Sequence, residues 1–243
     1  MVMLARDEAP RIGAALDSIP ADAERMVVLG DCADDTAGTA ARHGARVVPQ
    51  DPMAIRAAGG VFDVARDAAA RQYARHPWIF YLDADERISR ELAEEIGALA
   101  PGEGIGGFDM PRLNLYWGRP VRLLGNDHQL RLFRAGRACY PGAALHERVV
   151  VQGTVSRLSG LLIHDNIRHW SDARRLRRYV PVEARSLGRR PSRWETARAF
   201  DRRFSHYLLT AGAWRDGWRG AVVSALYALH HARVMREARR LHV

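Results

Sequence analysis

Three short apolar runs, at 26–29, 45–48 and 78–82, constrain this chain most, because the stretches between them carry helical spacing. Ile12, Leu16 and Ile19 fall on one helical face, and the segments 36–43 and 63–75 repeat that period. Strand and helix in alternation are the mark of βαβ units, so an α/β fold with a mostly parallel sheet is expected. Leu92, Ile96 and Leu99 predict a further helix, with Ser89 as its N-cap and Pro101-Gly102 as its stop. From 108 to 163 the apolar residues come in bursts broken by glycine, which predicts strands and loops with little helix. Residues 170–243 read as helical throughout. The expected organisation is one domain over 1–169, with halves 1–107 and 108–169, followed by an Arg-rich helical region over 170–243.

Charge narrows the chemistry. All 37 basic residues are arginine, so any mechanism that needs a lysine ammonium is excluded, the Walker P-loop and Schiff-base enzymes among them. Residues 1–136 hold 16 arginines against 20 acids, whereas 137–243 hold 21 against 8, a local charge of +13. Such a half suggests an anionic partner, either a membrane surface or nucleic acid. The apolar run at 220–229 spans ten residues, well short of the roughly 20 needed to cross a bilayer. Lying on an anionic membrane is the expectation, with Trp214, Trp218, Tyr207 and Tyr227 as interfacial rings. The alternative is a helical pair packed on the first domain with solvated arginines. These aromatics occupy helical positions beside apolar runs and not a strand face that could stack bases, which disfavours nucleic acid. Cys32 and Cys139 are too few for a metal cage or a disulfide framework, and the first apolar residues are too short for a signal peptide. A cytoplasmic location, peripheral on the inner face of the cell membrane, is therefore expected.

Two motifs carry chemical meaning. Gly102-Glu103-Gly104-Ile105-Gly106-Gly107 fits G-x-G-x-x-G, but it follows a helix and precedes a strand, the reverse of a dinucleotide site, and is read as a loop. Asp83-Ala84-Asp85 follows the buried-type run Trp78-Ile79-Phe80-Tyr81-Leu82, which puts both carboxylates at the carboxyl end of a strand, where open α/β sheets place ligands. With 17 aspartates in the chain one such match is expected by chance, and a solvated turn is the competing reading. Two carboxylates so close together would repel unless a divalent cation bridged them, and oxygen ligands suit Mg2+ or Mn2+.

At this point the chain resembles the GT-A glycosyltransferases of glycosyltransferase family 2, near the lipopolysaccharide-core β-glucosyltransferase branch. Val2 to Glu8 is similar to the family's opening strand and R-N/D-E turn, and Asp34-Asp35-Thr36 to its second turn. Ala65-Arg66-Asp67 stands where the family has A-R-N, and Tyr81-Leu82-Asp83-Ala84-Asp85-Glu86 matches F-L-D-A-D-E. Asn126 to Arg134 is similar to a segment D-x-Q-L-R-L-F-R, and His146-Glu147 to V-H-E. The resemblance implies a Rossmann-like α/β/α sandwich of GT-A type. It also implies a nucleotide-sugar site built from Ala5, Arg6, Glu8, Asp31, Asp34, Arg66, Asp83 and Ala84, with a metal held by Asp85 and His146. The branch implies a role in lipopolysaccharide biosynthesis at the cell envelope. Two positions depart from the family: Gly30 replaces the Asp that often follows the second strand and holds uracil, and Asp67 replaces an Asn. Both bear on the identity of the base.

The residues themselves suit such chemistry. Displacing a nucleoside diphosphate builds negative charge on the leaving group, which a carboxylate-held cation and arginines such as Arg66 can stabilise. The incoming hydroxyl must lose a proton, and Asp127 is the first candidate base, with Glu147 second. For either carboxylate the competing reading is a salt bridge to an arginine. His164, in an apolar stretch, is read as a hydrogen-bonded strand histidine. The reading is an inverting, metal-dependent hexosyltransferase, using a nucleotide-sugar donor such as a UDP-hexose and a lipid-linked or cell-surface glycan acceptor. Its rivals are a catalytically inactive anion- or nucleic-acid-binding protein of the same fold, and a sugar nucleotidyltransferase.

Overall fold

A computed structural model describes residues 1–53, 62–121, 127–139 and 149–241, and of 62–66 and 175 the backbone only. The chain divides into two compact units, one of Met1–Leu113 and His128–His164, the other of Asn114–Asp127 and Asp165–Val243.

In the first unit β1 (Val2–Ala5), β2 (Met26–Leu29), β3 (Arg46–Pro49) and β4 (Trp78–Asp83) form a parallel sheet in the order β3-β2-β1-β4. Alternate residues of these strands serve opposite faces. Met3, Val27, Phe80 and Leu82 join Ile12, Leu16, Ala40 and Leu92 from the helices Ala9–Asp17, Thr36–Arg42 and Arg90–Gly97. Val2, Met26, Val28, Ile79 and Tyr81 pack with Ala69 and Ala70 from the helix Phe62–Tyr73 on the other side. Strands covered on both faces must be apolar at successive positions, which is why these runs are continuous and short. Ser89 caps the helix Arg90–Gly97 as its hydroxyl accepts from the N–H of Leu92 at 3.2 Å.

Beyond β4 the pattern changes. The chain forms β5 (Glu86–Ile88), β6 (Ile105–Tyr116), β7 (Arg119–Pro120), β8 (His128–Arg134), β9 (Ala138–Cys139), β10 (Val150–Val151), β11 (Thr154–Arg157) and β12 (Leu162–Ile167). β8 pairs antiparallel with both β4 and β6, and β12 antiparallel with β5. Parallel pairing runs through β1 to β4 and recurs where β11 lies beside β6, while the other later pairs are antiparallel, so the sheet is mixed beyond β4. Antiparallel neighbours need no crossover helix between them, and β8 joins both β4 and β6 in this way. The α/β class stands, while the G-x-G-x-x-G stretch is only half loop: Gly102, Glu103 and Gly104 precede β6, and Ile105, Gly106 and Gly107 belong to it.

The second unit contains the helices Leu176–Ser186, Arg193–Ser205 and Gly217–Leu241. Small residues let the backbones approach: Ala184 packs with Val234 and Ala238, and Ala199 with Ala232 and Met235. Ser192 and Glu195 form a reciprocal capping box at the start of Arg193–Ser205. Arg189 also bonds Glu195, at 2.7 Å, and is the main reason the Glu195 carboxyl is lowered to about 2. Among the described residues no helix is long and apolar enough to cross a membrane.

Candidate functional site

The strand order sets where a ligand can sit. From β1 the chain moves outward through β2 to β3, then returns to the other side of β1 as β4. Such a reversal opens a crevice at the carboxyl ends of the two central strands. Leu4 lies opposite Asp83 and Ala5 opposite Leu29, so the turn at 6–8, the loop at 30–35 and Asp83-Ala84-Asp85 all leave the sheet at one edge.

Backbone amides tie the first two of these segments together. Asp7, at φ 55°, accepts from Ala33 N–H at 2.7 Å, and Glu8 N–H donates to Thr36 Oγ1 at 2.9 Å. Asp34 accepts from Ala9 N–H at 3.0 Å and from the Thr36 hydroxyl. The Thr36 bond is the leading cause that lowers the Asp34 carboxyl below its ordinary value. Asp7, Cys32 and Asp34 bring three ligand-type atoms within 4.8 Å of one another. Each of the three already accepts a backbone N–H, so the cluster acts as a lock between β1 and β2. Ala5 is buried, while Arg6 and Asp31 are exposed on the same rim.

The carboxylates after β4 are held by cations. Asp83 accepts from Arg131 Nη2 at 2.7 Å, and the same nitrogen reaches Glu86 Oε1 at 3.0 Å. Glu86, fully buried, also accepts from the N–H of Asp83 at 3.1 Å and from Arg112 at 3.4 Å. Asp85 stands 3.6 Å from Arg11 and 3.7 Å from His164 Nε2. Burial opposes charge on His164, but Asp85, with a smaller contribution from Glu86, outweighs it and raises the imidazole pKa. Ala84 is buried between the two aspartates. Asp67 accepts from Arg71 at 2.8 Å and from the Tyr81 hydroxyl at 3.1 Å.

The first unit thus brings Ala5, Arg6, Glu8, Asp31, Asp34, Asp83, Ala84 and Asp85 to one edge of one sheet. Arg11, Arg131, Glu86 and His164 join them, none of which the sequence pointed to as a site residue. Arg66 lies in the helix Phe62–Tyr73, its side chain outside the described residues. His146 and Glu147 also lie outside the described residues. Asp127 belongs to the second unit, where its carboxylate accepts from Asn114 Nδ2 at 2.9 Å. The hard oxygen donors of Asp83 and Asp85 fit a magnesium or manganese ion, and the surrounding guanidiniums fit the anionic oxygens of a diphosphate.

The second unit carries an aromatic face. Trp117 and Gly118 both have positive φ, 50° and 70°, in the tight turn between β6 and β7. The Trp117 ring lies 4.7 Å from Trp170 and 6.4 Å from Trp218 by centroids, and the latter two are each 60% exposed. Guanidiniums cover two rings, Arg219 over Trp218 at 4.7 Å and Arg215 over Trp214 at 4.9 Å. The expectation that Tyr207 and Tyr227 face an interface is corrected. Both pack with the buried Tyr116 and Ile167, and the Tyr227 hydroxyl donates to Asn166 Oδ1 at 3.1 Å, because a phenol inside the unit needs an acceptor.

No family model matches the chain. Its curated relatives include an uncharacterised glycosyltransferase of Rickettsia felis, 26% identical over 141 residues, or 56% of this chain and 44% of the relative. A counterpart from Rickettsia conorii is 24% identical over the same shares. The chain spans less than half the length of the curated relatives it matches. Similar solved structures include glucosyl-3-phosphoglycerate synthase from Mycobacterium tuberculosis, in complex with Mn2+, UDP and glucosyl-3-phosphoglycerate. It is 18% identical over 79% of this chain and 80% of that one, at a TM-score of 0.42. Mannosyl-3-phosphoglycerate synthase from Rubrobacter xylanophilus is 18% identical over 78% and 72%, at 0.45.

The buried ion cluster yields a stability prediction. Arg131→Met strips Glu86 of its nearer cation and should destabilise the first unit by about 3–5 kcal/mol in urea unfolding. Adding Glu86→Gln should restore much of that loss. Equal stability of Arg131→Met and the parent would mean that the pair does not organise the strand end.

Proposed function

We propose that this chain forms the donor site of a glycosyltransferase that moves a hexosyl group from a nucleotide-sugar, with UDP-hexose as the first choice, to a hydroxyl acceptor. The observation that carries the reading is the pair Asp83 and Asp85 at the switch point between β1 and β4, flanked by Arg11, Arg131 and His164. The name shared by the Rickettsia relatives supports it, as does the resemblance of Tyr81 to Glu86 to the F-L-D-A-D-E of family 2.

Asp85 and Asp83 would hold a divalent cation, Mg2+ or Mn2+, which when bound offsets charge on the departing diphosphate. Arg11 stands beside Asp85 and Arg131 bonds Asp83, and Arg6 on the rim adds positive charge where the phosphates would enter. His146 is proposed as a further metal ligand and Arg66 as a further diphosphate contact. Asp127 is proposed to take the proton from the attacking hydroxyl, with Glu147 as the reserve; a base acting in a single displacement gives inversion.

Asp85→Asn should weaken UDP binding in Mn2+ buffer at least tenfold by calorimetry, because an amide is a poor substitute for an anionic oxygen on a hard cation. Unchanged affinity would remove Asp85 from the metal site. Asp127→Asn should cut transfer by about 10²–10⁴ while UDP affinity holds. Full activity in that variant, together with its loss in Glu147→Gln, would move the base to Glu147. Release of UDP, and not of pyrophosphate, separates the transferase from a nucleotidyltransferase.

We further propose a lipid-linked or cell-surface glycan as acceptor, with the second unit resting on an anionic membrane. The support is the set Trp117, Trp170 and Trp218 under Arg219, in the half of the chain with a charge of +13. Replacing Trp170 and Trp218 together by Ser should reduce flotation with phosphatidylserine vesicles about tenfold while leaving UDP binding intact. Flotation equal to that of the parent would return the face to a purely structural role.

A further inference from the structure

Asn114 lies inside β6, where only 7% of it is exposed. Asparagine is depleted from strands, and burying its amide is destabilising unless the polar atoms are bonded, so an apolar side chain would suit the position better on packing grounds alone. What the amide does there is hold a carboxylate. Nδ2 donates to Asp127 Oδ2 at 2.9 Å, and Asp127 follows the hairpin that β6 and β7 form. Both residues belong to the second unit.

The strand that carries Asn114 is itself pinned. Its carbonyl accepts from Val121 N–H at 3.4 Å, which closes the returning arm of the hairpin on it. Two residues on, and on the same face of the strand, Tyr116 has no exposed surface. Three polar side chains form a closed ring around it. The Tyr116 hydroxyl donates to the Tyr227 oxygen at 3.3 Å, the Tyr227 hydroxyl donates to Asn166 Oδ1 at 3.1 Å, and Asn166 Nδ2 donates back to Tyr116 at 3.2 Å. The ring ties β6 to β12 and to the helix Gly217–Leu241. A side chain on a backbone held in this way keeps its donor in one place, as the support of a reacting group demands.

We infer that Asn114 is the positioning residue for Asp127 as proton acceptor. This rests on the reading of Asp127 as the base of a glycosyl transfer and adds what orients it. In that step the acceptor oxygen bonds the anomeric carbon and its proton passes to Asp127. The bond from that carbon to the diphosphate breaks, and its electron pair leaves with UDP. Such a reaction needs an oriented carboxylate, since a misplacement of about 1 Å costs on the order of 100-fold in rate. A carboxylate offers about four lone-pair sites, so one amide on Oδ2 restricts its rotation and leaves it able to take a proton.

The test follows release of UDP from UDP-glucose by the full chain in Mn2+ buffer, with water as the probe acceptor, beside UDP affinity by calorimetry. Asn114→Leu should lower kcat about 10- to 100-fold while the donor KM and UDP affinity keep the parent's values. Asn114→Asp, which keeps the size and replaces the donor by an acceptor, should show the same split, and it serves where Asn114→Leu does not fold. Added to Asp127→Asn, Asn114→Leu should lower kcat no further, because a residue that acts only through Asp127 then has nothing to act on. A purely structural amide gives losses that add, or a rise in KM with the fall in kcat. Either result overturns the assignment, as does the parent's kcat in both single variants. Full activity of Asp127→Asn overturns the base and this inference with it, while the transferase reading stands. A parent that releases no UDP overturns the transferase reading as well.

Discussion

The candidate site depends on how one buried carboxylate is satisfied. Glu86 has no exposed surface, and it accepts from Arg131, from Arg112 and from the N–H of Asp83. A buried charge persists only when paired and hydrogen-bonded on most of its lone pairs. Satisfying Glu86 fixes the turn that follows β4, since the Asp83 amide and the Arg131 guanidinium are both drawn to it. Asp83 and Asp85 then project from a turn whose shape is set from below. Their own partners are basic, Arg131 for Asp83 and Arg11 and His164 for Asp85.

Topology does the remaining positioning. β1 sits between β2 and β4, and the polar lock of Asp7, Asp34 and Thr36 holds the β1 turn against the β2 loop. The arginines that complete the β4 end come from elsewhere in the chain. Arg11 comes from the first helix and Arg131 from an antiparallel strand, so the parallel half of the sheet and the antiparallel half both contribute.

How much of this was legible in the sequence follows from the range of the interactions. The runs at 26–29 and 78–82 announced themselves because strands with both faces covered must be apolar at every position. Ser89 was legible as a cap because the bond it makes spans three residues. Asp83 and Asp85 were legible from the strand before them. Arg131 and His164 were not, because their places follow from register: Phe80 opposite Leu132 brings Arg131 to the β4 end, and Glu86 opposite His164 brings the imidazole to Asp85. Neither register leaves a local signature. Tyr207 and Tyr227 misled for the same reason. An aromatic ring at a helical position looks alike whether it faces lipid or a partner phenol, and only the Tyr116 and Asn166 contacts decide. The grouping of 114–127 with the C-terminal helices likewise arises from long-range contacts that periodicity does not carry.

A chain whose only strong cation is arginine can divide its positive charge by use, and this one does. In the first unit several guanidiniums bond internal acceptors. Arg25 bonds the carbonyls of Ile19 and His43, Arg46 bonds Glu24 and the carbonyl of Tyr73, and Arg134 reaches Ile105 O while stacking on Trp78. A planar fork with five donors satisfies several acceptors at once, which an ammonium on a flexible stem does less well. In the second unit Arg177, Arg178, Arg185, Arg190, Arg198 and Arg202 are exposed. Their charge is left to act on solvent and on whatever anionic surface approaches. Guanidinium is also the more weakly hydrated cation and stacks on indole, as Arg219 does on Trp218. The same residue type therefore serves as an internal strut where buried acceptors surround it, as Arg46 does in the first unit and Arg239 in the second, and stays at the surface where they do not.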